Sequence, residues 1–239
     1  MTSAADMPTA SPPSKLATFL EIRAPLDWAT VVLRAPQLLG APRGDGRPIM
    51  LLPGYGTDEG SMRPLGRYLR FLGYRVYDWG LGRNRGDVDA YVKALGEDLA
   101  GRQAESGGEA LTLIGWSLGG VIARETARLY EPRVREVITL GAPIIGGPKY
   151  TAAAGRFQRS ANIDLDEFEH EVHARNSAGI TQPVTSIYSK LDGVVGWRAS
   201  VDIYNRQARN IEVYSSHFGI GANGRVWRLI ADILGGGAD

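Results

Sequence analysis

Ser117, Asp192 and His217 have the residue types, and the order along the chain, to supply a nucleophile, the group that orients its base, and the base itself. A serine hydroxyl is a poor nucleophile until a neighbouring base takes its proton, and the usual base is a neutral imidazole. Ser117 lies in Gly115-Trp116-Ser117-Leu118-Gly119-Gly120. The apolar run 111–114, interrupted only by Thr112, leads into it, and helix-forming residues 121–127 follow. The order is strand, sharp turn, helix. A serine at the tip of such a turn takes a strained backbone conformation, and glycines two positions either side remove Cβ atoms that would collide across it. The hydroxyl is left exposed at a helix N-terminus.

Three histidines are present. His170 and His173 lie three apart on an acidic helix and read as a solvated face; they lack any recognisable ligand spacing, so no metal site is assigned. His217 sits in Ser215-Ser216-His217-Phe218-Gly219, just past the last expected strand. A base of this kind needs a carboxylate to hold its tautomer. Asp192, in Ser189-Lys190-Leu191-Asp192-Gly193, follows an expected strand by the same few residues. Asp164, Asp166 and Asp202 are less well placed and read as surface charge. In open parallel sheets the working site lies off the carboxyl ends of the strands, where Ser117, Asp192 and His217 all fall.

The elements that must position these residues alternate. The pattern predicts strands over 48–52, 75–77, 111–116, 134–140, 184–188 and 211–214. A helix capped by Asp58 or Ser61 follows the first and stops at Gly73; others span 87–104 and 224–234. This predicts an α/β fold with a mostly parallel sheet and helices on both faces. Between Ile144 and Pro183 the alternation pauses, with an acidic helix over 164–176. Residues 1–14 read as a disordered tail and 15–239 as a single domain. Residues 16–40 predict two short helices breaking at Pro25 and Pro36. Their favoured reading is packing on the outside of the main domain; the other is an amphipathic surface for peripheral membrane contact or a homodimer.

A net charge of +1 offers no electrostatic argument for nucleic acid. The lack of cysteine excludes disulfides, thiolate metal sites and a cysteine nucleophile. No run is apolar for the ~18 residues of a membrane span and the first residues do not read as a signal peptide, so a cytoplasmic location is expected. Gly54, Gly56 and Gly80, Gly82 open loops after strands, but the next glycines, Gly60 and Gly86, come one residue late for a dinucleotide fingerprint.

Taken together, the turn at Ser117 and the later Asp192 and His217, each after a separate strand, resemble the α/β-hydrolase family from about residue 48 to 234. Within it the chain is similar to small bacterial esterases and lipases, which often show a Gly-Gly after the nucleophile turn and a Gly-Ala-Pro after the next strand, here Gly141-Ala142-Pro143. The resemblance implies a cofactor-free serine hydrolase acting on small-molecule or lipid esters through an acyl-enzyme. Thioester cleavage, amide cleavage and acyl transfer would use the same residues, and a binding protein without catalysis is the alternative from another class. It implies oxyanion donors at the backbone N–H groups of Leu118 and Tyr55, the latter after Pro53-Gly54 where the family usually has His-Gly. It also implies that 144–183 forms a small cap. Trp79, Leu81, Trp116, Ile144, Ile145, Trp197 and Phe218 are expected to line a short, open, apolar cleft.

Overall fold

Alternate residues of the first strand go to opposite faces of the sheet, and each face has its own core. In the computed structural model, which describes residues 9–161 and 163–236, Ile49 and Leu51 join a cluster with Leu65, Leu69, Leu72, Trp227 and Ile230. Met50 and Leu52 join another with Val92, Leu95, Leu99, Ile122 and Ala127. The first strand thus reads as a continuous apolar run because both of its faces are covered.

Among the described residues the sheet has six parallel strands, β1 (Pro48–Leu52), β2 (Arg75–Asp78), β3 (Leu111–Trp116), β4 (Val134–Leu140), β5 (Val184–Tyr188) and β6 (Arg209–Glu212), in the order β2-β1-β3-β4-β5-β6. The direction of winding reverses between β1 and β3. A crevice opens at the carboxyl ends of such a pair, and the loops that follow them carry Tyr55 and Ser117.

Nine α-helices accompany the described strands: α1 (Lys15–Phe19), α2 (Ala24–Leu33), α3 (Ala35–Leu39), α4 (Arg63–Leu72), α5 (Val88–Glu105), α6 (Leu118–Leu129), α7 (Ala154–Ala161), α8 (Leu165–Ser177) and α9 (Gly224–Leu234). Most expected ends hold closely, but Asp58 caps the 3-10 turn Glu59–Ser61 that leads into α4, and α4 itself follows Met62 with no side-chain cap. Asp87 and Asp164 cap α5 and α8 through their side chains, and Gly73 ends α4 in the left-handed conformation at φ 105°. None of these helices is long and apolar enough to cross a membrane.

Four expectations need correcting. The 16–40 stretch breaks next to Pro25 and Pro36 as expected but into three α-helices, not two, with each proline in the first turn of the helix that follows, where a missing N–H costs nothing. The last strand lies two residues earlier than 211–214: Ile211 pairs with Ile187, and the polar, exposed Arg209 and Asn210 of this edge strand gave no apolar signal. Asp202 is not surface charge; it is 2% exposed and ion-paired with the equally buried Arg124. His173 is not on a solvated face, being 9% exposed with Nδ1 beside the Tyr204 hydroxyl at 3.2 Å.

Residues 1–8 of the expected tail lie outside the described residues. Ala10 packs on the cluster of Ile145, Val195 and Ala199. From Lys15 to Leu39 the chain lies against α9 and the loops after β5 and β6, burying Glu21, Ala24, Asp27 and Leu38 while Phe19, Ile22, Leu26, Trp28, Val32 and Leu33 face outward.

Candidate active site

The turn after β3 is forced by backbone-to-backbone packing. Ser117 has φ 53° and ψ −124° and is the only non-glycine residue with positive φ among those described. A Cβ at Gly115 would lie 2.3 Å from the carbonyl oxygen of Gly119, and one at Gly119 would lie 2.3 Å from that of Leu52. Only glycine lets α6 start this close to β1 and β3. The Ser117 N–H donates to the Leu140 carbonyl at 2.8 Å, tying the turn to the end of β4. Ser117 is partly exposed at the N-terminus of α6.

Asp192 and His217 meet behind this turn. Asp192 accepts from Nδ1 of His217 through Oδ2 at 2.7 Å, and its Oδ1 is held by the N–H groups of Val194 and Val195 at 2.8 and 2.7 Å. Both side chains are buried. Gly141, at φ 56°, backs the pair: a Cβ there would come within 2.9 Å of Asp192 Oδ2 and 3.3 Å of His217 Nδ1. Burial works against a charged imidazole at His217, but the charge and hydrogen bond of Asp192 outweigh it, with the Glu21 carboxylate adding, so the pKa stands above that of an ordinary histidine.

Trp116 joins the two halves. Its indole N–H donates to the His217 carbonyl at 3.1 Å, and its ring lies 5.6 Å from the imidazole and 6.4 Å from Phe218. The residue preceding Ser117 in sequence therefore holds the backbone of His217.

Tyr55 lies on a loop braced from outside. A Cβ at Gly54 would lie 3.3 Å from Ser117 Cβ, which places this loop beside the serine. Asn84 is fully buried; its side-chain amide donates to the Pro53 carbonyl at 2.9 Å, its N–H donates to Thr57 at 2.8 Å, and its carbonyl accepts from Gly56 at 2.7 Å. The 79–86 loop thus clamps the loop after β1 in the absence of the histidine usual before the glycine. Leu118 opens α6, so its N–H has no helical carbonyl one turn back.

The expected cleft residues divide. Trp116 and Phe218 adjoin His217. Trp79 is 1% exposed, donates its indole N–H to Gly82 at 2.9 Å and sits with Leu81 in the α5–α6 core. Ile144 and Ile145 are buried, the latter against Val195 and Ala199. Trp197 is partly buried and stacks on Tyr188.

Sequence reading left Asn84, Gly141, Glu21 and Asp27 without roles. For the last two a signal existed: they are the only acids in an otherwise apolar and basic stretch, 15–40.

A parallel sheet wound in this order and flanked by helices defines a class, and the comparisons agree. A model of the alpha/beta hydrolase family matches residues 49–235, and the chain belongs to that family. Over 120 residues it is 30% identical to the pimeloyl-(acyl-carrier protein) methyl ester esterase of Shewanella sp. (strain MR-7), covering 48% of this chain but only 42% of that relative. A lipase-esterase related protein from Clostridium acetobutylicum ATCC 824 superposes with a TM-score of 0.60 at 15% identity, over 82% of this chain and 97% of that one. The monoacylglycerol lipase of Paleococcus ferrophilus superposes with a TM-score of 0.58 at 16% identity, over 83% and 97%.

Proposed function

We propose that the chain is a serine hydrolase that cleaves carboxylic esters through an acyl-enzyme. The observation that carries this reading is the buried Asp192–His217 pair, 2.7 Å apart, beside the strained turn that presents Ser117. Ser117 Oγ attacks the ester carbonyl carbon as Nε2 of His217 takes its proton. Asp192 keeps the remaining imidazole proton on Nδ1, leaving Nε2 free to accept, and stabilises the imidazolium. The N–H groups of Tyr55 and Leu118 receive the charge on the tetrahedral oxygen. Collapse breaks the ester C–O bond, and Nε2 returns its proton to the departing alcohol. Water then adds to the acyl-enzyme by the same route, releasing the acid and restoring Ser117.

The similarity to a methyl ester esterase supports an ester over an amide as substrate. Trp116 and Phe218 beside His217 support an apolar acyl group. The test is a panel of ester, thioester and amide substrates on the purified chain and its Ser117→Ala and His217→Ala variants. Ester turnover that both substitutions abolish is expected. Turnover of none of the substrates would favour a binding protein; preferential turnover of a thioester or amide would move the chemistry to that class.

A further inference from the structure

The segment that precedes β1 lies outside the stretch 49–235 that matches the family, yet its two acids, Glu21 in the 3-10 turn Leu20–Arg23 between α1 and α2 and Asp27 in α2, are buried against the loops that carry Asp192 and His217. Glu21 accepts through Oε1 from the N–H of Gly193 at 2.7 Å and that of His217 at 2.8 Å, and through Oε2 from the N–H of Phe218 at 3.1 Å. One carboxylate therefore bridges the residue after Asp192 and the residue that is His217. Asp27 holds the next residue back: its Oδ2 accepts from the N–H and the hydroxyl of Ser216 at 2.9 and 2.6 Å, and its Oδ1 from the amide of Asn223 at 3.0 Å. Thr18 donates to the Gly193 carbonyl at 2.7 Å and Arg23 to the Leu191 carbonyl at 2.9 Å. The seat is closely fitted. A Cβ at Gly193 would lie 2.2 Å from the Ala17 carbonyl oxygen, and one at Gly219 would lie 2.2 Å from Asp27 Oδ2.

The acid loop leaves β5 and the base loop leaves β6, the edge strand, and among the described residues no further strand lies beyond β6 to pair the N–H groups of these loops. A buried donor left without a partner is costly, and an ionised acceptor is the strongest available. A carboxylate shared by both loops fixes their separation, and with it the Asp192–His217 hydrogen bond. We propose that Glu21 is a positioning residue for the Asp192–His217 pair, making the N-terminal segment a working part of the active site. This rests on the reading of His217 as the base.

The charged groups around His217 are Asp192 from the loop after β5 and Glu21 from the N-terminal segment, with Asp27 one residue back on Ser216; Arg23 reaches the carbonyls of Leu191 and Ser215. Removing the Glu21 charge while keeping its shape should therefore lower the affinity of the imidazole for a proton as well as loosen the loops.

The experiment compares full-length wild type with Glu21→Gln and Glu21→Ala, measuring kcat, KM and thermal unfolding, and following the imidazole of His217 by NMR over pH. Glu21→Gln should lower kcat by about ten- to a hundredfold, as expected of a slipped base. KM should stay within about twofold, since the substrate contacts remain. The pH midpoints of kcat/KM and of the His217 resonances should both move to lower pH. A folded Glu21→Gln protein with unchanged kcat and unchanged His217 titration overturns the proposal, even if its unfolding temperature falls. The NMR titration is independent of turnover, so an active His217→Ala variant would sink the base assignment without deciding whether Glu21 acts on that imidazole.

Discussion

Nδ1 of His217 and Oδ2 of Asp192 lie 2.7 Å apart with both side chains 2% exposed, so the imidazolium gains a partner that water does not screen. The pKa of His217 is accordingly above the ordinary 6.5. A base must be neutral, so kcat/KM should rise with pH through one ionisation whose midpoint lies above 6.5. The sign for stability is opposite. A raised folded-state pKa contributes stability that is complete below 6.5 and is lost as pH rises through the folded value. The chain should thus be most active where this pair stabilises it least. Asp192→Asn should lower kcat by about four orders of magnitude through the wrong tautomer. His170→Ala should leave the profile in place, and a profile that instead follows His170 would show the base to be misassigned.

The strain at Ser117 predicts an asymmetry between two inactive variants. Ser117→Gly accepts φ 53° freely, whereas Ser117→Ala does not, so the glycine variant should be more stable by about 1 kcal/mol in urea unfolding. Gly119→Ala should cost about 3 kcal/mol or more, because its Cβ meets rigid backbone at 2.3 Å. Equal stability of the two serine variants would mean that the turn is not strained.

Much of this architecture was legible in the sequence. The apolar run of β1, that of β3 broken only by Thr112, the buried 137–140 end of β4 and the glycines around Ser117 carry strong local signals because burial and backbone contact leave few residue choices. What was not legible depends on pairing across the chain. Arg209 and Asn210 join β6 only through the hydrogen bonds of β5, so their polar side chains hid the strand. Asp202 looked exposed because its partner, Arg124, is on another element. Glu21 lies 172 residues before Gly193, the nearest in sequence of the N–H groups from which it accepts.

Asn84 should behave as a clamp. Asn84→Ala removes a buried donor to the Pro53 carbonyl and should cost about 1–3 kcal/mol of stability. As the loop it holds carries Tyr55, kcat should fall by about tenfold or more if that N–H serves the oxyanion. Steady-state kinetics on the folded variant checks this; unchanged kcat would remove Tyr55 from the oxyanion assignment.

Asp202 and Asp192 should separate cleanly. Asp202→Ala leaves the buried Arg124 guanidinium without its partner and should cost about 3–5 kcal/mol. The pH midpoint of the remaining activity should not move. A shifted midpoint would show that Asp202 acts on His217.

Substrate length follows from how little apolar surface adjoins His217. Trp116 and Phe218 flank it, while Ile144 and Ile145 are turned into the interior. Each methylene that finds cover is worth about 0.8 kcal/mol, nearly fourfold in kcat/KM. A p-nitrophenyl ester series should therefore rise over short to medium acyl chains and then level or fall, with no jump at micelle formation. A maximum at palmitate with a jump would show a larger lipid site.

Covalent labelling of Ser117 tests the central claim most directly. A fluorophosphonate probe, read by intact mass and peptide mapping, should add one equivalent to the wild-type chain, at Ser117. It should leave Ser117→Ala unmodified and react far more slowly with His217→Ala. Labelling at another serine, or ester turnover that persists undiminished in Ser117→Ala, would contradict the account.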